Sequence, residues 1–293
     1  MTRAGTGNIR AMTRRSFGAF LPAIAGIGGG LSSAQGQTVQ RKGRLKQAVT
    51  RGCFGKGMPF EDMCRHAARL GVKGFDLVGP AEFPMLKKYS LVPTMVPGGS
   101  SISDGINRTE FHDGIEKRMR AAIDVAVAAG APNVIVLSGN RRGMPDGQAA
   151  DNCVVFLNKI KPVAEDKGVT ICMELLNSKV NHPDYQCDRT SWGVEVCKRV
   201  NSQRVKLLYD VYHMQIMEGD VIRIIRESIN WIGHFHTAGN PGRHEFDDTQ
   251  ELNYRGICKA IVDLGFAGYL AHEYSPLKDP LKSLEEAISI CDV

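Results

Sequence analysis

Eight strand-like stretches alternate with eight helix-like ones from Leu45 to the end of a 293-residue chain, and very few architectures accept that order. The strand-like stretches are LKQAVTRGCF (45–54), GFDLV (74–78), LVPTMVPG (91–98), NVIVLSG (133–139), VTICMELLN (169–177), VKLLYDVYH (205–213), IGHFHTAG (232–239) and GYLAHEYSP (268–276). Each is a short apolar run bounded by turn residues, as expected of strands buried on both faces. Between them, apolar residues recur at helical spacing, as in FEDMCRHAARLG (60–71) with its glycine stop, over Phe111–Ala129, and up to Lys167-Gly168. This alternation predicts an α/β fold with a parallel sheet, and eight repeats close into a single (β/α)8 TIM barrel over residues 45–293. An open doubly wound sheet is the rival. Its phosphate turn follows the first strand, where the glycines of GCFGKGMPF here have the wrong spacing.

Polar residues close the last four strands. Glu174 lies in VTICMELLN, Asp210 in VKLLYDVYH, His236 in IGHFHTAG and Glu273 in GYLAHEYSP, with intervals of 36, 26 and 37 residues. Those intervals match neighbouring barrel strands, so the four side chains are expected together at the C-terminal mouth, where such barrels keep their chemistry. Three carboxylates and an imidazole suit one divalent ion, with Mn, Mg or Co as candidates. Each residue also has an ordinary use. Glu174 can cap a helix or pair with an arginine, Asp210 can start a helix, His236 can be a satisfied core histidine, and Glu273 can join an ion pair. Four such coincidences at consecutive strand ends are harder to accept, because a buried acid must be paired or metal-bound.

The two glutamates have a second use. Placed about a bound substrate, one removes a proton alpha to a carbonyl and the other returns it to the adjacent carbon. A metal binding the carbonyl and hydroxyl oxygens would stabilise the enediolate between those steps. Aldose–ketose isomerisation and sugar epimerisation both need this arrangement. A hydride shift between two metals is the mechanistic rival, and ligands for only one metal are legible.

Asp210-Val211-Tyr212-His213-Met214-Gln215, the run GHFHTAGNPGRHE from Gly233 to Glu245, and Glu251-Leu252-Asn253-Tyr254 together resemble the hydroxypyruvate isomerase family, a branch of the xylose-isomerase-like barrels with the sugar 3-epimerases as relatives. The resemblance implies Glu174 and Glu273 as paired acid and base that also touch the metal, with Asp210 as a further ligand. It implies His213 and Arg243 as holders of substrate oxygens and Glu245 as part of the same pocket. Otherwise His213 orients Asp210, and Arg243 is a surface-loop arginine. It implies a small hydroxy-carbonyl or sugar substrate and a homodimer or tetramer. Members often place glutamine where this chain has His236, and histidine there is more like the epimerases. An epimerase or lyase acting on a keto-sugar or 3-keto-glycoside is therefore the alternative.

Residues 1–34 read differently from the rest. Thr13-Arg14-Arg15-Ser16-Phe17 precedes an apolar, glycine-rich stretch and small residues suited to cleavage after Ala34, the layout of a twin-arginine export signal. Periplasmic or exported is the expected location, with a basic arm on a cytoplasmic protein as the alternative, and residues 35–44 are expected to be a linker. The apolar stretch is too short to anchor stably in a membrane. The segment holds four arginines and no acid, so the formal charge of +6 falls to +2 without it. That leaves no electrostatic footprint for nucleic acid and disfavours a metal-dependent nuclease on the same barrel. A non-catalytic sugar-binding barrel is a further alternative. None of the eight cysteines forms a CxxC pair, and Cys64, Cys172, Cys197 and Cys258 fall on apolar faces, so buried free thiols are expected. His234 and His272 are expected on the strand faces away from the site, and His182 and His244 in loops near the mouth.

Overall fold

The computed structural model describes residues 39–293. The expected export signal lies outside the described residues. In chain order the elements are β1 (Lys46–Val49), α1 (Phe60–Arg69), β2 (Gly74–Asp76), α2 (Phe83–Lys88), β3 (Val92–Pro97), α3 (His112–Ala129), β4 (Asn133–Val136), α4 (Asp146–Lys167) and β5 (Thr170–Glu174). They continue with α5 (Thr190–Val200), β6 (Val205–Asp210), α6 (Val211–Met217), α7 (Val221–Ser228), β7 (Ile232–Thr237), α8 (Tyr254–Asp263), β8 (Tyr269–His272) and α9 (Pro280–Cys291). The strands form a closed barrel in sequence order, all parallel, with β1 returning to pair β8. α3 and α4 both stop at a left-handed glycine, Gly130 at φ 69° and Gly168 at φ 70°, where a side chain would be strained.

Strand alternation divides the core in two. Outward residues such as Ile171, Met173, Leu207, Phe235 and Leu270 join the large apolar layer between sheet and helices. Inward residues Met95, Ile135, Cys172 and Leu208 form a small separate cluster inside the barrel. Two positions beyond Cys172 and Leu208 on the same faces come Glu174 and Asp210. The same period places His236 two residues beyond His234 on the inward face of β7. Register finishes the alignment, since Asp210 pairs directly with His236 across β6 and β7.

Every strand is shorter than the stretch read from the sequence, and in two of them the chain turns helical within that stretch. The first ends at Val49, and Arg51–Phe54 coils into a 3-10 turn across the mouth. The sixth ends at Asp210, whose carboxylate accepts the His213 backbone N–H at 3.2 Å and caps α6, so Val211-Tyr212-His213 is helical. At the opposite end, Val39 donates its N–H to the Arg69 carbonyl at 3.0 Å, and Arg41 reaches the Leu70 carbonyl and Ser289. All eight cysteines are free and buried. No helix among the described residues is long and apolar enough to cross a membrane.

Candidate active site

Glu174, Asp210, His236 and Glu273 converge at the mouth, each offering one ligand atom within 4.8 Å of the others. Asp210 and His236 are fully buried, Glu174 nearly so, and Glu273 partly open to solvent. The decisive detail is the orientation of His236. Its Nε2 lies 2.9 Å from Asp76 Oδ2, a carboxylate that can only accept, so Nε2 carries a proton and Nδ1 is the nitrogen turned toward the acids. That Nδ1 sits 2.8 Å from Glu273 Oε2 and 3.3 Å from Glu174 Oε1, yet is buried without the geometry of a hydrogen bond. Nδ1 and two carboxylates facing one another call for a cation between them, which is either a proton on Nδ1 or a metal ion in its place. A histidine oriented by a carboxylate behind it is also the usual support of a metal ligand.

A second group nearby behaves differently. Asp76 Oδ2 lies 2.6 Å from His234 Nε2 as well as accepting from His236, while Thr94 donates to the other oxygen. His234 Nδ1 faces the Asn133 amide at 3.4 Å. Every polar atom in this layer already has a partner, so the hydrogen-bond network is complete without an ion. His234 therefore points inward, correcting the expectation that it faces away. Residues two apart on a strand share a face. His272 does face outward, with Nε2 2.8 Å from Gln47 Oε1. Asp76 was missed in the sequence, although it closes GFDLV as the other acids close their strands.

The charged groups at the mouth act directly on one another. Burial pushes the carboxyl groups of Glu174 and Asp210 above the ordinary range. For Glu273 burial acts in the same direction, but His236 and Arg243 outweigh it and bring the value down to about 2. Burial also opposes charge on His236, yet Glu273, Asp76 and Glu174 together push it well above an ordinary histidine. His213 goes the other way: burial and the adjacent Arg243 hold it well below its usual value, which keeps the imidazole neutral.

Arg243 ties the cluster together from its left-handed position at φ 60° in the Pro241-Gly242 turn. Its guanidinium donates to Glu273 Oε2 at 2.7 Å, Asp210 Oδ2 at 3.2 Å and His213 Nε2 at 2.8 Å, and lies over the Tyr212 ring. Asn177 holds the other side of His213, its amide nitrogen 2.5 Å from Nδ1. Glu245 does not join them. Its Oε1 accepts the backbone N–H groups of Leu277 at 2.6 Å and Lys278 at 2.7 Å, and the Ser283 hydroxyl at 3.2 Å, so it fastens the loop after β8 instead of lining the pocket. Two compartments flank Glu273 and Arg243. One of about 310 Å³ includes Thr50, Arg51 and Ser275, and one of about 360 Å³ includes His182 and an apolar wall.

A closed eight-strand parallel barrel with a carboxylate–imidazole centre at its C-terminal mouth defines the class of protein. A family model described as xylose isomerase-like TIM barrel matches residues 85–291, and the chain belongs to that family. A 2-oxo-tetronate isomerase of Cupriavidus necator is 39% identical over 113 residues, 39% of this chain and 43% of that protein. A human protein provisionally named hydroxypyruvate isomerase is 28% identical over 182 residues, 59% of this chain and 63% of that protein. Both matches thus span less than two thirds of the relative's length. Among solved structures, an AP endonuclease of family 2 from Brucella melitensis superposes with a TM-score of 0.76 at 24% identity, covering 82% of this chain and 96% of that one. The 3-keto-D-glucoside 4-epimerase of E. coli gives 0.70 at 18% identity, covering 84% and 98%. At those identities the likeness shows the fold alone.

Proposed function

We propose that this chain is a metal-dependent isomerase of a small hydroxy-carbonyl compound, of the type that converts hydroxypyruvate to tartronate semialdehyde. The observation that carries this reading is the orientation of His236 Nδ1, fixed by Asp76 and aimed at Glu174 and Glu273. Glu174, Asp210, His236 and Glu273 would hold one divalent ion, with Mn, Mg or Co as candidates. When bound, such an ion polarises the carbonyl and hydroxyl oxygens of the substrate. Glu174 ends β5 and Glu273 directly follows β8, three strands apart around the ring. That separation suits one to take a proton from carbon and the other to return it next door. His213, neutral, and Arg243 would hold substrate oxygens, and the names of the sequence relatives support an acid or sugar-acid substrate. The compartments beside Glu273 favour, as a second reading, an epimerase or lyase acting on a keto-sugar or 3-keto-glycoside.

The test is turnover by Mn-loaded protein in deuterated water. Hydroxypyruvate or a ketose should gain deuterium at the alpha carbon. Glu174→Gln and Glu273→Gln should each lower that rate by about 10²- to 10⁴-fold, the range for loss of a general acid or base. Product formed without any solvent deuterium would instead indicate hydride transfer. We further read residues 1–34 as a twin-arginine export signal, 35–44 as its linker and 45–293 as the catalytic domain. Cell fractionation of wild type against Arg14→Lys/Arg15→Lys tests that division, with retention of the variant expected.

A further inference from the structure

The larger compartment beside the acids is built for something a three-carbon acid does not carry. It measures about 360 Å³ and opens onto Glu174 and Glu273 on one side. Its other side is formed by Leu77, Ile102, Leu137 and Leu176. That volume is within the range of about 300–1,000 Å³ that holds drug-sized ligands.

Leu77 is the most telling member of the wall. It follows Asp76 directly and lines both compartments at the mouth. Its backbone is left-handed, φ 59°, although leucine is neither glycine nor asparagine. Bulky residues rarely adopt that conformation, and strain of this kind gathers at functional sites. Leu77 is 37% exposed, and Ile102 is exposed to the same extent. Apolar side chains held open to water directly above buried carboxylates wait for an apolar partner. The wall brings no free cation. Arg243 is engaged by Asp210, Glu273 and His213, and burial holds His182 below the usual histidine range. A carboxylate pushed against these leucines would lose its water without gaining a partner.

We propose that Leu77, Ile102, Leu137 and Leu176 form a subsite for an apolar group on the substrate, which is a hydroxy-ketone bearing such a group beyond the reacting carbons. The proposal rests on the proton-transfer reading above and, within it, selects the keto-sugar or keto-glycoside substrate of the second reading over a three-carbon acid. The group is either the methyl end of a deoxygenated ketose or the aglycone of a keto-glycoside.

The experiment compares three probes with the Mn-loaded full chain: a ketohexose, its terminally deoxygenated counterpart, and a nitrophenyl keto-glucoside. Deuterium exchange gives kcat/KM for each. An apolar-bearing probe should exceed the ketohexose by about 10- to 200-fold, the range for one well-placed apolar group. Leu77→Ser and Ile102→Ser should erase that advantage, whereas Val127→Ser, at an exposed position on α3, should keep it. An advantage confined to the aryl probe identifies an aglycone, and one shared by the deoxygenated ketose identifies a methyl-ended chain. Equal use of all three probes, or an advantage that survives both serine variants, overturns the subsite while proton transfer stands. Absence of exchange on every probe overturns the proton-transfer reading instead. The subsite is then judged by saturation transfer from the protein to the nitrophenyl ring of an inert nitrophenyl glucoside. Transfer lost in Leu77→Ser supports it, and no transfer to wild type overturns it.

Discussion

A single carboxylate below the mouth decides what His236 can do. Asp76 accepts the His236 Nε2–H and so directs Nδ1 at the acids. Asp76→Asn keeps the volume but loses the charge that fixes the tautomer. The expected outcome is a loss of about 10- to 100-fold in Mn affinity by titration calorimetry, the usual effect of removing such a support. The circular dichroism spectrum should be unchanged, and unaltered affinity would show that His236 is oriented by its backbone alone. Asp76 also shows where residue-level reading stops. Its partners, His234 and His236, are 158 and 160 residues away. β2 and β7 are not neighbours in the ring, so only closure of the barrel brings them together. The four mouth residues were legible because each closes an apolar run at a strand interval. Arg243 and Glu245 share a motif, but they lie in a loop with no fixed period. The left-handed Arg243 sends its own side chain to the acids while Glu245 turns to β8's loop.

Among the elements, the segment between β8 and α9 depends most on one side chain. Glu245 satisfies two backbone N–H groups there, at Leu277 and Lys278. Glu245→Ala leaves both without that acceptor. It should cost about 1–3 kcal/mol in urea unfolding and leave Mn affinity within error. Those backbone donors outweigh burial and hold the Glu245 carboxyl below the ordinary range. Since the folded value is the lower one, the contribution is complete above the unfolded glutamate pKa of about 4.3. It fades as pH falls through the folded value. The difference in stability between wild type and Glu245→Ala should therefore shrink on acidification, and a constant difference would count against this account. Strand order and helix stops could be read from alternation and from Gly130 and Gly168. The early ends of β1 and β6 could not, because apolar residues recur beyond both, at Cys53-Phe54 and at Val211-Tyr212. Only the Asp210 cap shows that the run from Val211 is already helical.

Across the whole molecule, burial governs the thiols. It pushes Cys53 and Cys64 up to about 11 and Cys197 up to about 12, so the nucleophilic thiolate is scarce at neutral pH. A thiol-reactive dye should label none of the eight cysteines in the native protein and all eight in denaturant. Prompt labelling of the native state would mean local opening of the helix layer. The expected dimer or tetramer is a matter for light scattering. The ring itself carries a further consequence. The proposed metal and proton-transfer groups all come from the ends of β5 to β8, while Leu77, Ile102 and Leu137 follow β2, β3 and β4 and only Leu176 of the subsite follows β5. Selectivity is thus inherited mainly through the first half of the gene, which must also supply Asp76 to orient His236. Recombination near its middle would exchange one repertoire of substrates for another, and the chemistry would survive wherever the incoming half carries an acid at the end of its second strand.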